Sequence, residues 1–241
     1  MAITVWGPLR GPSKGSPILG AIAGMVALLA GSVGAQAGTA CVDQVSAAEA
    51  RNGIPNGLLM AIALVESGGS GMPQDYALNI GGKSVTAKSK DAASSRLRDA
   101  KGKLRKNTFV GCMQISLTHH ASQFQPVEKI VDPQANVAYA AKYLAKAHKS
   151  TGSWSGAVAR YNGGSRKRQL EYACEVRSYL EVLDKETAAL LDDRACRDGA
   201  APKVAKAVKA AMAEGEAAPR KAAPTQSAAL GRVEPFGGLL D

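Results

Sequence analysis

The chain has 241 residues, a formal net charge of +10 and a pI near 9.5. That length suits one well-packed domain with tails, or two small domains, and the positive excess points to acidic partners such as nucleic acid, anionic lipid or an acidic cell-wall polymer. Aromatic residues make up only 5% of the chain and no RNA-reading aromatic motif occurs, which argues against a nucleic-acid binder.

At the N-terminus, Arg10 and Lys14 precede an apolar stretch from Ile18 to Val33, followed by the small-residue pattern Ala35-Gln36-Ala37. The stretch is short and rich in Gly and Ala, so residues 1–37 read as a cleaved export signal rather than a permanent span, with a mature start near Gly38. The residues before Cys41 lack the Leu expected ahead of a lipidated cysteine. An exported chain with four cysteines, Cys41, Cys112, Cys174 and Cys196, is expected to form disulfides. Three full pairings are open, and Cys41–Cys112 with Cys174–Cys196 is preferred. No C-x-x-C or H-x-x-x-H spacing occurs, so neither a metal site nor a cofactor is expected. A Cys112 nucleophile paired with His119 or His120 is disfavoured, because a thiol in that compartment is usually bridged.

Residues 41–53 read as a helix with Val42, Val45 and Ala48 inward, ended by Asn52-Gly53. A second helix follows, with Pro55 in its first turn and Gly68-Gly69 as its stop. Its only acid is Glu66, on a face with Leu59, Ile62 and Ala63. A carboxyl among apolar groups loses hydration and its pKa rises, which suits protonation of a leaving group. The alternative is a solvated residue at a helix end. Tyr76–Ile80 and Ser84–Thr86 flank Gly81-Gly82 and read as a small hairpin. Residues 83–106 carry nine Lys or Arg against Asp91 and Asp99. The later part reads as a basic surface helix, and the stretch is either a solvated face packing Ala92, Leu97 and Leu104 or a cationic rim that draws in an acidic polymer.

Gly111 and Gln114 stand out in Thr108–Ser116, Gly111 for its backbone freedom and Gln114 as donor and acceptor, though such a Gln is often just a satisfied polar residue. His119 and His120 read as structural or exposed. Asp132-Pro133 opens a strong helix with Val137, Ala141, Leu144 and His148 on one stripe. Ser153 caps the next, which places Trp154, Ala157, Val158 and Tyr161 on one face and Asn162 at its end. Tyr161 is either a core aromatic or a cleft residue. A last helix is expected near Gln169–Asp193, with Tyr172, Val176, Leu180 and Leu183 inward. Residues 198–241, rich in Ala, Lys and Pro, read as a flexible tail in which Val204–Met212 forms at most a transient helix on a partner.

Three motifs in order, Val65-Glu66-Ser67, Gly111-Cys112-Met113-Gln114-Ile115 and Ala159-Arg160-Tyr161-Asn162-Gly163-Gly164, resemble the lytic transglycosylase family with a lysozyme-like fold. The stretch Asp132-Pro133, Asn136-Val137 and Tyr143-Leu144 matches that family's following helix, so the resemblance covers roughly residues 41–182. It is closest to small members serving secretion, pilus or flagellar assembly. It implies a mainly α, lysozyme-like α+β fold: a helical domain over 38–197 with a small β-hairpin lobe beside the cleft. It also implies cleavage of the β-1,4 bond between N-acetylmuramic acid and N-acetylglucosamine in peptidoglycan, leaving a 1,6-anhydro end. Glu66 would be the acid and then the base. Met113 and Gln114 would line the sugar cleft, Tyr161 would hold Glu66 or the substrate with Asn162 beside it, and Ser67 would support the site by hydrogen bonding.

The expected setting is the periplasm, as a monomer acting on glycan strands beside an envelope-spanning apparatus, without nucleic acid. Two departures stand out: Cys112 replaces the family's frequent Leu, and Gly68–Val110 is long for the wider family. Alternatives are a lysozyme-type hydrolase, for which Asp75 is the nearest second acid, and a wall-binding scaffold.

Overall fold

A computed structural model of the protein describes residues 39–192, 194, 196 and 203–217. The expected export signal, residues 1–37, lies outside them. Helix α1 (Thr39–Asn52) leads into α2 (Leu58–Ser67), the centre of the fold. Every residue from Leu58 to Leu64 is buried, so α2 has no solvated face until its last turn. It packs against α1 and against α7 (Arg166–Leu183).

A buried helix start needs acceptors for its first amides. α2 lacks a capping side chain of its own, and Glu49 of α1 supplies one. Its carboxyl accepts from the N–H groups of Gly57 (3.1 Å), Leu59 (2.8 Å) and Met60 (3.0 Å). Leu58 N–H donates to the Pro55 carbonyl and Ala61 N–H to that of Gly57, which completes the first turn. Pro55 therefore stands before the helix rather than in its first turn. The chain enters through Gly57 in a left-handed conformation, with φ of 80°. Burial pushes the Glu49 carboxyl up to about 8, although the three N–H groups favour its charged form.

The expected hairpin is present as β1 (Ala77–Ile80) and β2 (Lys83–Thr86), but it belongs to a larger sheet. β3 (Thr108–Val110) pairs antiparallel with β1, and β4 (Ile115–Ser116) with β3, giving the order β2-β1-β3-β4. Leu78, Val110 and Ile115 face the core. The two later strands are too short to show a period in the sequence.

The later part of the basic segment is not a continuous helix. Only α3 (Lys90–Ser94) is helical, and the chain then turns so that Arg98 bridges to Leu104. Asp99 holds this turn by accepting from the N–H groups of Lys101 and Lys103. Ala87, Ala93 and Leu97 are the residues the segment buries, and all nine cations are exposed. Lys90 pairs with Asp132 at 2.7 Å and Arg98 with Glu128 at 3.2 Å.

After α4 (Leu117–His120), α5 (Pro133–Thr151) begins as expected, with the Asp132 side chain accepting from Ala135 N–H and Pro133 in the first turn. Ser153 caps α6 (Trp154–Asn162) in the same way. The last long helix is shorter than its pattern suggested. α7 stops at Leu183, and Asp184 turns the chain and caps α8 (Lys185–Ala188) through Thr187 N–H.

The largest departure is at the C-terminus. Part of the expected tail is α9 (Lys206–Ala217), which packs on α1 and buries Val208 and Met212. Ala205 N–H donates to the Gly71 carbonyl at 2.7 Å, and the Met212 terminal methyl lies beside Gly57. Two apolar side chains on one helical face were enough for docking; tail composition alone hid them. The preferred disulfides are formed: Cys41–Cys112 joins α1 to the β3–β4 turn, and Cys174–Cys196 holds the segment after α8 on α7. No helix among the described residues is long and apolar enough to cross a membrane.

Replacing Glu49 with Ala leaves three buried N–H groups without an acceptor, and the expected loss of stability is about 3 kcal/mol or more, read by urea unfolding. The folded carboxyl holds its proton more tightly than the unfolded one. Its contribution is thus complete below about 4.5 and lost as pH rises through about 8, a decline that the Ala variant should lack.

Candidate active site

The buried run of α2 delivers Glu66 to the helix's last turn, where the side chain is half-buried. The hydroxyl of buried Tyr172, on α7, donates to Glu66 Oε1 at 2.7 Å. Burial pushes the Glu66 carboxyl up to about 7, with the Glu175 carboxylate adding to the rise and the Tyr172 hydrogen bond opposing it. The Tyr172 hydroxyl is itself held well above its usual range by burial and by Glu66, so it stays protonated and acts as the donor. That fixes Oε1 as an acceptor and leaves Oε2 to carry the proton of the acid form. A carboxylic acid half-charged near neutrality, with its proton on a defined oxygen, can both give and take a proton.

The turn Gly111–Gln114 lies beside the end of α2. Ser67 Oγ stands 3.0 Å from the Cys112 carbonyl and 3.2 Å from that of Ala63, and accepts from Gln74 N–H at 3.1 Å. Its support of this region is thus direct. The fully buried Asn136 fixes the turn from α5. Its Oδ1 accepts from Met113 N–H at 3.1 Å, and its Nδ2 donates to the Val110 and Ile130 carbonyls, both at 2.9 Å. Gly111 has φ of 78°, and a Cβ there would stand 2.5 Å from the Asn136 side chain, so only glycine fits. Gln114 is half-buried with φ of 45°, a left-handed conformation uncommon for a residue with a side chain, and its Nε2 donates to the Gly111 carbonyl at 2.8 Å.

Two expected roles change. Met113 does not line a cleft, because its side chain is 0% exposed; it is core, and its carbonyl accepts from the Tyr161 hydroxyl at 2.9 Å. Tyr161 is near enough for the Glu66 charge to raise its pKa, but its hydroxyl is committed to Met113. The tyrosine that holds Glu66 is Tyr172, which the helical pattern had marked only as an inward residue. Asn162 is half-buried at the end of α6, where its Nδ2 donates to the Gly163 carbonyl at 3.2 Å. Asp75 is buried to 7% exposure, and its Oδ1 accepts from Cys41 N–H at 2.8 Å, near the start of α1. Among the described residues, no group of three or more His, Cys, Asp or Glu is placed to hold a metal ion.

Residues 43–175 match the family described as the transglycosylase SLT domain. The chain belongs to that family. It is a peptidoglycan lytic transglycosylase of lysozyme-like fold, with peptidoglycan as its substrate. The match contains α2, the whole sheet, the Gly111–Gln114 turn, Tyr161 and Tyr172. It ends within α7, so α8 and α9 lie beyond the SLT domain as matched. Searches of curated proteins and of solved structures each found no match.

The Glu66 carboxyl carbon, followed by carbon-13 NMR, should titrate near 7, and Tyr172→Phe should move the midpoint higher by removing the bond that favours the anion. The Glu66 contribution to stability is likewise complete below about 4.5 and lost as pH rises through about 7. Glu66→Gln should therefore gain stability relative to the wild type between pH 5 and 8, read by unfolding at each pH.

Proposed function

We propose that Glu66 is the catalytic acid and base of a reaction that ends in a 1,6-anhydro-muramyl product. The observation that carries this reading is the Glu66 carboxyl, raised to about 7 at the end of a buried helix and oriented by Tyr172. The Glu66 Oε2 proton passes to the glycosidic oxygen between N-acetylmuramic acid and N-acetylglucosamine as the bond from that oxygen to the muramic C1 breaks. The resulting oxocarbenium-like sugar is stabilised by its own N-acetyl group. Glu66, now a carboxylate, takes the proton from the 6-hydroxyl of the same sugar, and that oxygen bonds to C1. The acid form of Glu66 is restored and no water is added.

Hydrolysis through a second carboxylate would need another acid free to act across the cleft. Of the acids between residues 70 and 100, Asp75 is engaged by Cys41 N–H and Asp99 by Lys101 and Lys103 N–H, while Asp91 sits in the exposed first turn of α3. Of that stretch, then, none is the carboxylate felt by Glu66; that is Glu175, which lies with Tyr172 on α7 rather than on the sheet side. The absence of a candidate within residues 70–100 favours the transglycosylase outcome. Gln114 and Asn162, both half-buried, are the polar groups assigned to the substrate, and Ser67 steadies the turn between them and Glu66. The exposed cations of residues 83–106 favour attraction of an acidic wall polymer. With the N-terminal pattern, they fit a periplasmic enzyme that opens the wall locally for an envelope-spanning secretion, pilus or flagellar apparatus.

Digestion of purified peptidoglycan, followed by mass analysis, tests the chemistry. Fragments short of one water are expected from the wild type and none from Glu66→Gln, with both proteins giving the same circular-dichroism spectrum. Fragments carrying the extra water would replace this reading with a lysozyme-type hydrolase. The wild-type rate should fall as pH rises through about 7, because the reactive form of Glu66 is the protonated one.

A further inference from the structure

Tyr161 is the first member of a run of rings that leads away from Glu66. Its ring centroid lies 5.8 Å from that of Tyr143 on α5. Tyr143 lies 6.4 Å from Tyr139, one helical turn earlier, with the two planes inclined by only 21°. Tyr139 lies 5.2 Å from Phe124. His120, at the end of α4, stands 5.4 Å from both Tyr139 and Tyr143, and its Nδ1 shares a 2.8 Å hydrogen bond with the Tyr139 hydroxyl. Phe124 is buried, while Tyr139, Tyr143 and His120 are half-buried, so part of each remains open to a ligand. Beyond Phe124 the run enters a surface groove of about 420 Å³, lined also by Leu104, Pro126 and the Arg98–Glu128 ion pair.

Well-packed apolar residues would close the α5 stripe more cheaply than two aromatic rings with polar tips, Tyr139 and Tyr143. Rings that keep an exposed part suit a sugar polymer: each sugar has an apolar C–H face that lies on an aromatic ring and a hydroxyl edge that needs polar partners. The ring-to-ring steps run from 5.2 to 6.4 Å; Tyr139 and Tyr143 present near-parallel faces, and the rings at either end, Phe124 and Tyr161, are tilted by 58° and 68° from their neighbours. Burial lowers the His120 pKa, so the ring is neutral near pH 7. With Nδ1 engaged by Tyr139, Nε2 is the nitrogen available to a hydroxyl or acetamido group. The His120–Tyr139 bond also joins the element that follows β4 to the helix α5, across two parts of the fold that are distant in sequence.

We propose that Tyr143, Tyr139 and His120 form a strip that binds the glycan strand on one side of the bond to be cut and guides it into the groove beside Phe124, with His120 positioning the Tyr139 ring. This rests on the assignment of Glu66 to glycan cleavage. The strip acts on strands long enough to reach it and leaves the chemistry at Glu66 alone.

The test compares peptide-free glycan strands with the shortest strand the enzyme cuts. For long strands, His120→Ala and Tyr139→Ala should each raise KM about five- to tenfold with kcat nearly unchanged, while Tyr139→Phe, which keeps the ring, should show a smaller rise. For the shortest strand, all three should match the wild type. Equal effects at both lengths, or unchanged KM for long strands, would overturn the strip. Should Tyr139→Ala lose its native circular-dichroism spectrum, His120→Ala decides alone. Sedimentation with long strands in the Glu66→Gln background reads binding without turnover and should weaken by the same factor. A wild type that cuts normally beside an unaffected His120→Ala sinks only the strip. A wild type that neither binds nor cuts peptidoglycan removes the catalytic assignment, and the strip with it.

Discussion

A helix whose residues are buried on every side can exist only if the rest of the chain surrounds it and supplies its ends. α2 is such a helix, and its surroundings explain most of the architecture. α1 provides the Glu49 carboxyl that receives its first amides, α7 covers one flank, and the C-terminal segment touches both the residue before it and the loop after it. The same burial gives Glu66 its chemistry. A carboxyl carried out of a dry core on the last turn of such a helix is poorly hydrated, so its proton is held near neutral pH. Stability and reactivity thus have one origin, the exclusion of water around α2.

The Gly111–Gln114 turn is the second fixed point. Four separate elements grip it: α1 through the Cys41–Cys112 bond, α2 through Ser67, α5 through Asn136, and α6 through Tyr161. A turn with a left-handed Gln needs such determination from outside, because local preference does not favour it. Its contacts are mostly to backbone atoms, which explains why buried Met113 matters through its amide and carbonyl rather than its side chain.

The helices with strong periodic patterns and clear caps, α5 and α6, were legible in the sequence to within a residue or two, and so were the hairpin and the acid at the end of α2. What escaped has a common physical character. Glu49 carries no mark in the sequence and Asp75 reads only as the nearest second acid, yet each is buried and satisfied by amides that come from another part of the chain. Tyr172 reads as a core aromatic, and is one, but its hydroxyl reaches Glu66 across 106 positions. His120 shows no spaced partner, because its partner is a tyrosine on a different helix. β3 and β4 are too short for alternation to show. α9 was hidden by composition, since an Ala- and Lys-rich stretch does not reveal that Val208 and Met212 will find an apolar surface. Sequence periodicity reports which side of an element is apolar; it does not report which distant polar group meets which amide.

The docking of α9 sets an order of events during synthesis. α2 is made before α9, and Gly57 acquires its neighbour Met212, and Gly71 its hydrogen-bond donor Ala205, only when the chain has grown about 140 residues beyond the helix. A nascent chain can collapse around α2 before that point, yet it does so with the loops at the two ends of its most buried element still waiting for residues that do not exist. The ends of Glu66's own helix are therefore closed by residues made long after the helix itself.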